Sequence, residues 1–265
     1  MSAEKRELKF EYPDDAMQSW EALWGQDFIS PGGAEEVRSL IRGVDVKGKT
    51  ILEVGSGWGG PSLLFAKECG AARVVGIDLQ PKAVEKANLR AVELGLKGLV
   101  EFRAVSSLKW PFADGAFDVV FSKDSLMHTA DKETVYAEMA RVLKPGGRIV
   151  YADWFGADLP PSPQMRQWLR DNEFAMVLRS LGYTVDAFIR LGFTNIVVDD
   201  RCRTFGQVFE EDCEKLSGEL GRELAKAFGE ERLHELRTKW FEPCVVLSQQ
   251  GQLRLGSLRA TKPPC

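Results

Sequence analysis

From about residue 49 the chain alternates short apolar runs with longer amphipathic stretches. Lys49 to Val54 reads as a strand that runs into glycines, and residues 61–69 read as a helix. Arg73 to Asp78 is the next apolar run, and Pro81 opens a helix that Gly95 closes. Leu99–Val105 and Phe117–Ser122 predict a third and a fourth strand. A helix over about 131–143 stops at the breaker cluster Lys144-Pro145-Gly146-Gly147, and Arg148–Trp154 predicts a fifth strand. Strands alternating with helices at this spacing form parallel βαβ units with right-handed crossovers.

The second half reads as more helical. A proline-rich loop at 160–163 precedes an expected helix over 164–181, a short one over 184–191, a sixth strand over Thr194–Val198 and a charged helical stretch over 204–240. The stretch 209–238 reads as a solvent-facing helix rather than a partner site. Gln252–Thr261 carries Leu253, Leu255 and Leu258 and reads as a final strand. The first 48 residues carry Tyr12, Trp20, Trp24 and Phe28 and are expected to form a lid over the strand ends. The expectation is therefore one α/β domain. A lid over 1–48 precedes a domain over 49–265, with a seven-stranded, mostly parallel, Rossmann-like sheet and a helical insertion after strand five.

Composition narrows the function classes. Of 265 residues, 44% are hydrophobic, enough for a packed core. Thirty-five Lys and Arg face 39 Asp and Glu, a net charge of -4. That balance supplies no overall field to gather nucleic acid or an anionic membrane, so neither is an expected partner. No run approaches the ~20 apolar residues of a spanning helix, and the N-terminus lacks a signal-peptide pattern. The five cysteines are scattered without CxxC spacing, and only His128 and His234 are histidines, so no metal is expected. The thiols read as reduced and the location as cytoplasmic.

Glu53-Val54-Gly55-Ser56-Gly57-Trp58-Gly59-Gly60 follows one strand and opens a helix. Glycines there allow a tight turn and bring bare amides to a ligand. Asp78 ends the second strand, where an acid can bind ribose hydroxyls. These features fit NAD as well as S-adenosylmethionine. Glu53, two residues before the first glycine, favours a ligand with an ammonium group over a pyrophosphate.

The glycine loop, the acid after strand two and the Leu-Lys-Pro-Gly-Gly turn before strand five together resemble class I S-adenosylmethionine-dependent methyltransferases. Trp24-Gly25-Gln26-Asp27-Phe28-Ile29-Ser30-Pro31-Gly32-Gly33 and Ser122-Lys123-Asp124-Ser125-Leu126-Met127-His128 are similar to segments of the phosphoethanolamine N-methyltransferases. So is Arg259-Ala260-Thr261-Lys262, so the likeness covers nearly the whole chain. It implies a Tyr12–His128 pair at the transfer centre and cofactor contacts at Ile29, Ser30, Gly55, Asp78 and Leu79. Glu53, Ser56, Gly57, Ser106 and Lys123 complete the expected cofactor set. Ser106 and Ser107 stand where an adenine-clamping acid is common. Trp20, Asp124, Trp154, Trp168 and Phe174 form the expected acceptor set. The family's phosphate-binding tyrosines and cations correspond here to Trp154, Trp168, Asn172, Phe174 and Pro243. A dianion buried without cations is costly, so an acceptor lacking a phosphate is expected.

The expected reaction is methyl transfer from S-adenosyl-L-methionine to a small-molecule acceptor, at an amine nitrogen. An ammonium must lose a proton before attack, and His128 is the side chain at the end of strand four suited to take it. Transfer to a thiol or hydroxyl, a nicotinamide-dependent oxidoreductase and a non-catalytic S-adenosylmethionine sensor are the alternatives.

Overall fold

The computed structural model describes residues 13–171 and 176–264, with the backbone alone at 202, 203 and 205. Tyr12 and Phe174 lie outside the described residues. Seven strands form one sheet: β1 (Thr50–Val54), β2 (Arg73–Asp78), β3 (Val100–Ala104), β4 (Phe117–Lys123), β5 (Leu143–Gly156), β6 (Thr194–Asp200) and β7 (Leu253–Thr261). Their order is β3-β2-β1-β4-β5-β7-β6. The first five run parallel in register pairs such as Leu52↔Val75, Leu52↔Val120 and Val120↔Ile149. β7 is antiparallel to both β5 and β6. The order reverses between β1 and β4, so the segments leaving those strands diverge and open a crevice at their carboxyl ends.

The helices α3 (Gly60–Lys67), α4 (Pro81–Glu93) and α5 (Lys132–Val142) fall where the periodicity places them. The breaker cluster differs in detail. Strand pairing already holds at Leu143, and the Pro-Gly-Gly run is absorbed as an irregularity opposite Phe117–Val119. Gly146 N–H donates to the Lys262 carbonyl and Lys262 N–H to the Gly147 carbonyl (both 2.9 Å), so β7 stitches the run down. The helix expected over 164–181 is shorter: α6 spans Pro163–Asp171, and residues 176–180 are not helical. Val177 N–H there donates to the Met127 carbonyl at 2.7 Å. α7 begins at Leu181 and ends at Arg190. The charged stretch is broken at Gly218 and Gly229 into α8 (Cys202–Ser217), α9 (Glu219–Phe228) and α10 (Glu230–Glu235). A wide turn (Leu236–Phe241) then leads into α11 (Glu242–Gln249).

Three apolar clusters follow. One face of the sheet packs Ile51, Val74, Phe121 and Val150 against α3, α4 and α2 (Gly33–Leu40). The other packs Leu52, Val120, Tyr151 and Phe155 against α5 and α7. The third lies beyond the strand ends, where α1 (Asp14–Trp24), α6 and α8–α11 bring Trp20, Trp168, Phe209 and Phe241 together with Trp154 of β5. This third cluster roofs the crevice.

Candidate active site

The crevice is a cavity of about 290 Å³ that reaches from the glycine turn to the aromatic roof. At one end the backbone does the shaping. Gly55 and Gly57 have φ of 74° and 50°. A Cβ on Gly55 would collide with the Ser125 side chain, and one on Gly57 would stand 2.7 Å from Ile29 Cδ1. The amides of Gly55 and Ser56 donate to the Ile77 carbonyl at 2.8 and 3.0 Å, which ties the turn to the end of β2. Asp78 accepts from Gly57 N–H at 2.8 Å and Gln80 N–H at 2.9 Å. Burial raises its pKa, and those amides oppose the shift.

Glu53 is 2% exposed and lines the cavity. It accepts from the amide (3.0 Å) and hydroxyl of Ser62, in the first turn of α3. Burial still dominates and pushes its carboxyl up to about 8. Burial therefore favours the protonated form of this acid. Ile29, Ser30, Ser56, Leu79 and Ser106 also face this cavity.

Lys123 lines the cavity too, and its ammonium is also engaged within the protein. Its ammonium donates to Ser30 Oγ (2.7 Å), the Pro31 carbonyl (2.9 Å) and Asp124 Oδ2 (2.5 Å). Two of these acceptors, Ser30 and Pro31, belong to the N-terminal segment, so Lys123 ties that segment to the end of β4. That segment is held at further points. Asp27 accepts from Arg90 Nε at 3.1 and 3.0 Å, and Trp24 Nε1 donates to Asp212 at 2.8 Å.

At the other end side chains do the shaping. Asp124 leaves β4 with φ of 49°, a strained conformation for a residue with a side chain, and the short turn Leu126–His128 follows. Asp124, His128, Trp20 and Trp154 all face the cavity. Trp168 does not. It packs edge-on behind Trp240 with ring centres 6.1 Å apart, and its Nε1 donates to the Lys239 carbonyl at 3.1 Å. Trp168 therefore supplies no wall to the acceptor end, while Asn172 and Phe174 lie outside the described residues.

Sequence reading missed the roof. Met17, Phe209, Trp240, Phe241 and Cys244 line the cavity, and Trp20 meets Trp240 at 6.1 Å while Trp154 meets Phe209 at 5.4 Å. The charged stretch is therefore not simply a solvated helix. Phe209, Cys213, Leu216, Leu220 and Leu224 recur at helical spacing and pack in the third cluster, a stripe legible beneath the charges. Asp212, on the same helix, is fully buried against Trp24.

Two polar atoms of wall residues are buried without a hydrogen-bond partner: Ser56 Oγ toward the glycine end and Trp154 Nε1 toward the roof. Leaving such groups unpaired costs about 1–3 kcal/mol each, a cost that ligand polar groups seated at the two ends can offset. Among the described residues no cluster suited to a metal ion is present.

A parallel sheet reversing between β1 and β4, an antiparallel final pair and a glycine turn facing an acid at the end of β2 define a Rossmann-like class I methyltransferase fold. Residues 45–215 match the family model described as a methyltransferase domain, and the chain belongs to that family. It is 28% identical over 260 residues to phosphoethanolamine N-methyltransferase 1 of Zea mays, covering 95% of this chain and 49% of that protein. It thus spans about half the length of the plant relatives it matches. It is 25% identical over 262 residues to the phosphoethanolamine N-methyltransferase of Plasmodium falciparum, with 95% and 93% covered. The structure of Haemonchus contortus phosphoethanolamine N-methyltransferase 2, in complex with phosphomonomethylethanolamine and S-adenosylhomocysteine, superposes with a TM-score of 0.86. Identity there is 24%, over 94% of this chain and 58% of that one. The names of these relatives run against the expectation of a phosphate-free acceptor, which is withdrawn.

Proposed function

We propose that the chain transfers the methyl group of S-adenosyl-L-methionine to the nitrogen of a small amine. The observation that carries this reading is the continuity of one cavity from the Gly55–Gly57 turn and Asp78 to Asp124 and His128. The first end would hold the nucleoside, and the same cavity leads from there to the second end. Bound S-adenosylmethionine would supply a sulfonium-activated methyl group. Asp78 is placed to accept from ribose hydroxyls, Ser56 Oγ to find its missing partner, and Glu53 to face the ammonium group of the amino-acid moiety.

The remaining work falls to the acceptor end. Asp124 offers a carboxylate to an incoming ammonium, and His128 takes the proton that frees the nitrogen lone pair. Tyr12 is assigned as the partner of His128 on the family resemblance alone. The N-terminal segment, anchored through Ser30, Asp27 and Trp24, acts as the lid, and with the tryptophan roof it excludes water. Alignment of nucleophile and methyl carbon in a dry site contributes roughly 7–11 kcal/mol. Incubation with methyl-labelled S-adenosylmethionine and a panel of amines, phosphoethanolamine included, together with small thiols and hydroxyl compounds, read by mass, tests the reading. A labelled amine supports it. Label found only on thiols or hydroxyls, or on nothing, contradicts it.

A further inference from the structure

A polar layer lies behind the acceptor end, and the chemistry above does not use it. Lys132 opens α5, is 4% exposed, and donates from its ammonium to the carbonyl of Leu126. Leu126 is the first residue of the turn that presents His128. Asp153 is 1% exposed on β5, next to Trp154. It accepts from Tyr151 O–H at 2.5 Å and from Trp154 N–H at 2.9 Å. Tyr136 extends the layer, with its Oη 3.4 Å from Tyr151 Oη and 3.2 Å from Thr184 Oγ1 of α7.

Lys132 and Asp153 form no direct ion pair and act on each other through charge alone. Asp153 is the acid that favours the Lys132 ammonium, and Lys132 is the chief charge favouring the Asp153 carboxylate. Arg179 bears on Lys132 from the 176–180 segment, and Asp124 bears on Asp153 from the end of β4. Buried charges of this kind rarely add stability over apolar residues of the same shape, so their use lies elsewhere. Here one partner grips the backbone of the His128 turn and the other grips the backbone amide of Trp154. The turn has few other backbone ties: Thr129 N–H to Leu126 O at 2.8 Å, His128 N–H to Ser125 O at 3.3 Å, and Val177 N–H to Met127 O.

We infer that Lys132 and Asp153 are positioning residues: Lys132 holds the Leu126–His128 turn to the start of α5, Asp153 holds the backbone beside Trp154, and together they fix the distance between the proton-accepting side chain and the acceptor wall. The inference rests on the proposed methyl transfer for its kinetic arm only. A misplacement of about 1 Å at a reacting centre costs on the order of 100-fold in rate.

The test uses the full chain with Lys132→Met, Lys132→Arg and Asp153→Asn. Hydrogen–deuterium exchange of the peptide covering residues 124–131, read by mass, needs no activity. Lys132→Met is expected to speed exchange there at least tenfold while peptides of β1 and β2 stay unchanged. Lys132→Arg, which keeps a donor, is expected to restore most of the protection. In turnover, Lys132→Met is expected to lower kcat about 100-fold and Asp153→Asn about tenfold, with S-adenosylmethionine affinity within twofold of wild type. Unchanged exchange in the 124–131 peptide overturns the inference. So does a loss of protection spread over the whole sheet in both Lys132 variants and in Asp153→Asn. Localised exchange in a chain that transfers no methyl group upholds the positioning role and defeats the reaction assigned above.

Discussion

The two ends of the cavity are built on opposite principles. The glycine end is local and made of backbone: residues 53–80 contribute a turn, a helix start and the acid at the end of β2, held by amide hydrogen bonds of 2.8–3.0 Å. The acceptor end is assembled from side chains on distant stretches: Trp20, Asp124, His128, Trp154, Phe209 and Trp240. A backbone site recognises what every ligand of the class shares, and its amides cannot be altered by substitution. A side-chain site can be re-lined residue by residue while the sheet beneath it stays the same. The contrast explains how one fold keeps a constant methyl donor and varies the acceptor.

If the two ends divide the work in this way, variants should separate them. The largest effect is expected from His128→Ala, with turnover lower by roughly 100- to 10,000-fold and S-adenosylmethionine affinity within twofold. Equal losses in rate and affinity, by stopped assay and calorimetry, would merge the two ends. Next comes Asp78→Ala. Loss of hydrogen bonds to a charged group is worth about 1.5–3 kcal/mol, so cofactor affinity should fall roughly 10- to 150-fold. Trp240→Ala should raise the acceptor KM about tenfold through lost apolar contact and leave cofactor affinity alone. A cofactor effect there would show that the roof serves both ligands.

The smallest effect on ligand binding is a pH dependence. The Glu53 carboxyl moves from 4.5 in the unfolded chain to about 8 in the folded one. Below 4.5 both states hold the proton and there is no penalty. As pH rises through that window the unfolded chain releases a proton that the folded chain retains, so stability falls and levels off above 8. Asp153, raised to about 7 mainly by burial, acts in the same direction over the lower part of the window. Glu53→Gln should flatten part of the decline in melting temperature between pH 5 and 8. Because a bound cation favours the ionised acid, wild-type S-adenosylmethionine affinity should rise severalfold from about pH 6 to 7.5, below the range of about 7.7–8.0 where the ligand's own α-amino group loses its proton, and in the variant it should not. A variant that keeps the full slope would remove Glu53 from the cofactor's surroundings.

The same contrast governs what could be read from the sequence. Apolar runs placed all seven strands to within a few residues, apart from the start of β5; the central strands, buried on both faces, leave a continuous signature, while the largely exposed β6 was marked only by its Ile196-Val197-Val198 run. The glycine turn and Asp78 were legible because their residues are consecutive, or one βαβ unit apart. Trp240, Phe241 and Cys244 were hidden in a stretch whose charges dominate, and only its Phe209–Leu224 stripe marks a packed face. Trp168 misled for the same reason. Its position in the chain matched a family subsite, yet which side of α6 meets the cavity depends on packing against Trp240, a residue about 70 positions away. Lys132 and Asp153 left no pattern at all, since one opens a helix and the other lies near the end of a strand.

The central claim is that this crevice holds a sulfonium-bearing nucleoside beside the acceptor wall. Titration calorimetry of the folded chain with S-adenosylmethionine, its demethylated product and NAD tests that claim most directly. The account predicts saturable one-to-one binding of the first two and none of NAD, with the Asp78→Ala variant weakened toward both. Heat from NAD at the same site, or silence from both sulfur compounds, would contradict it.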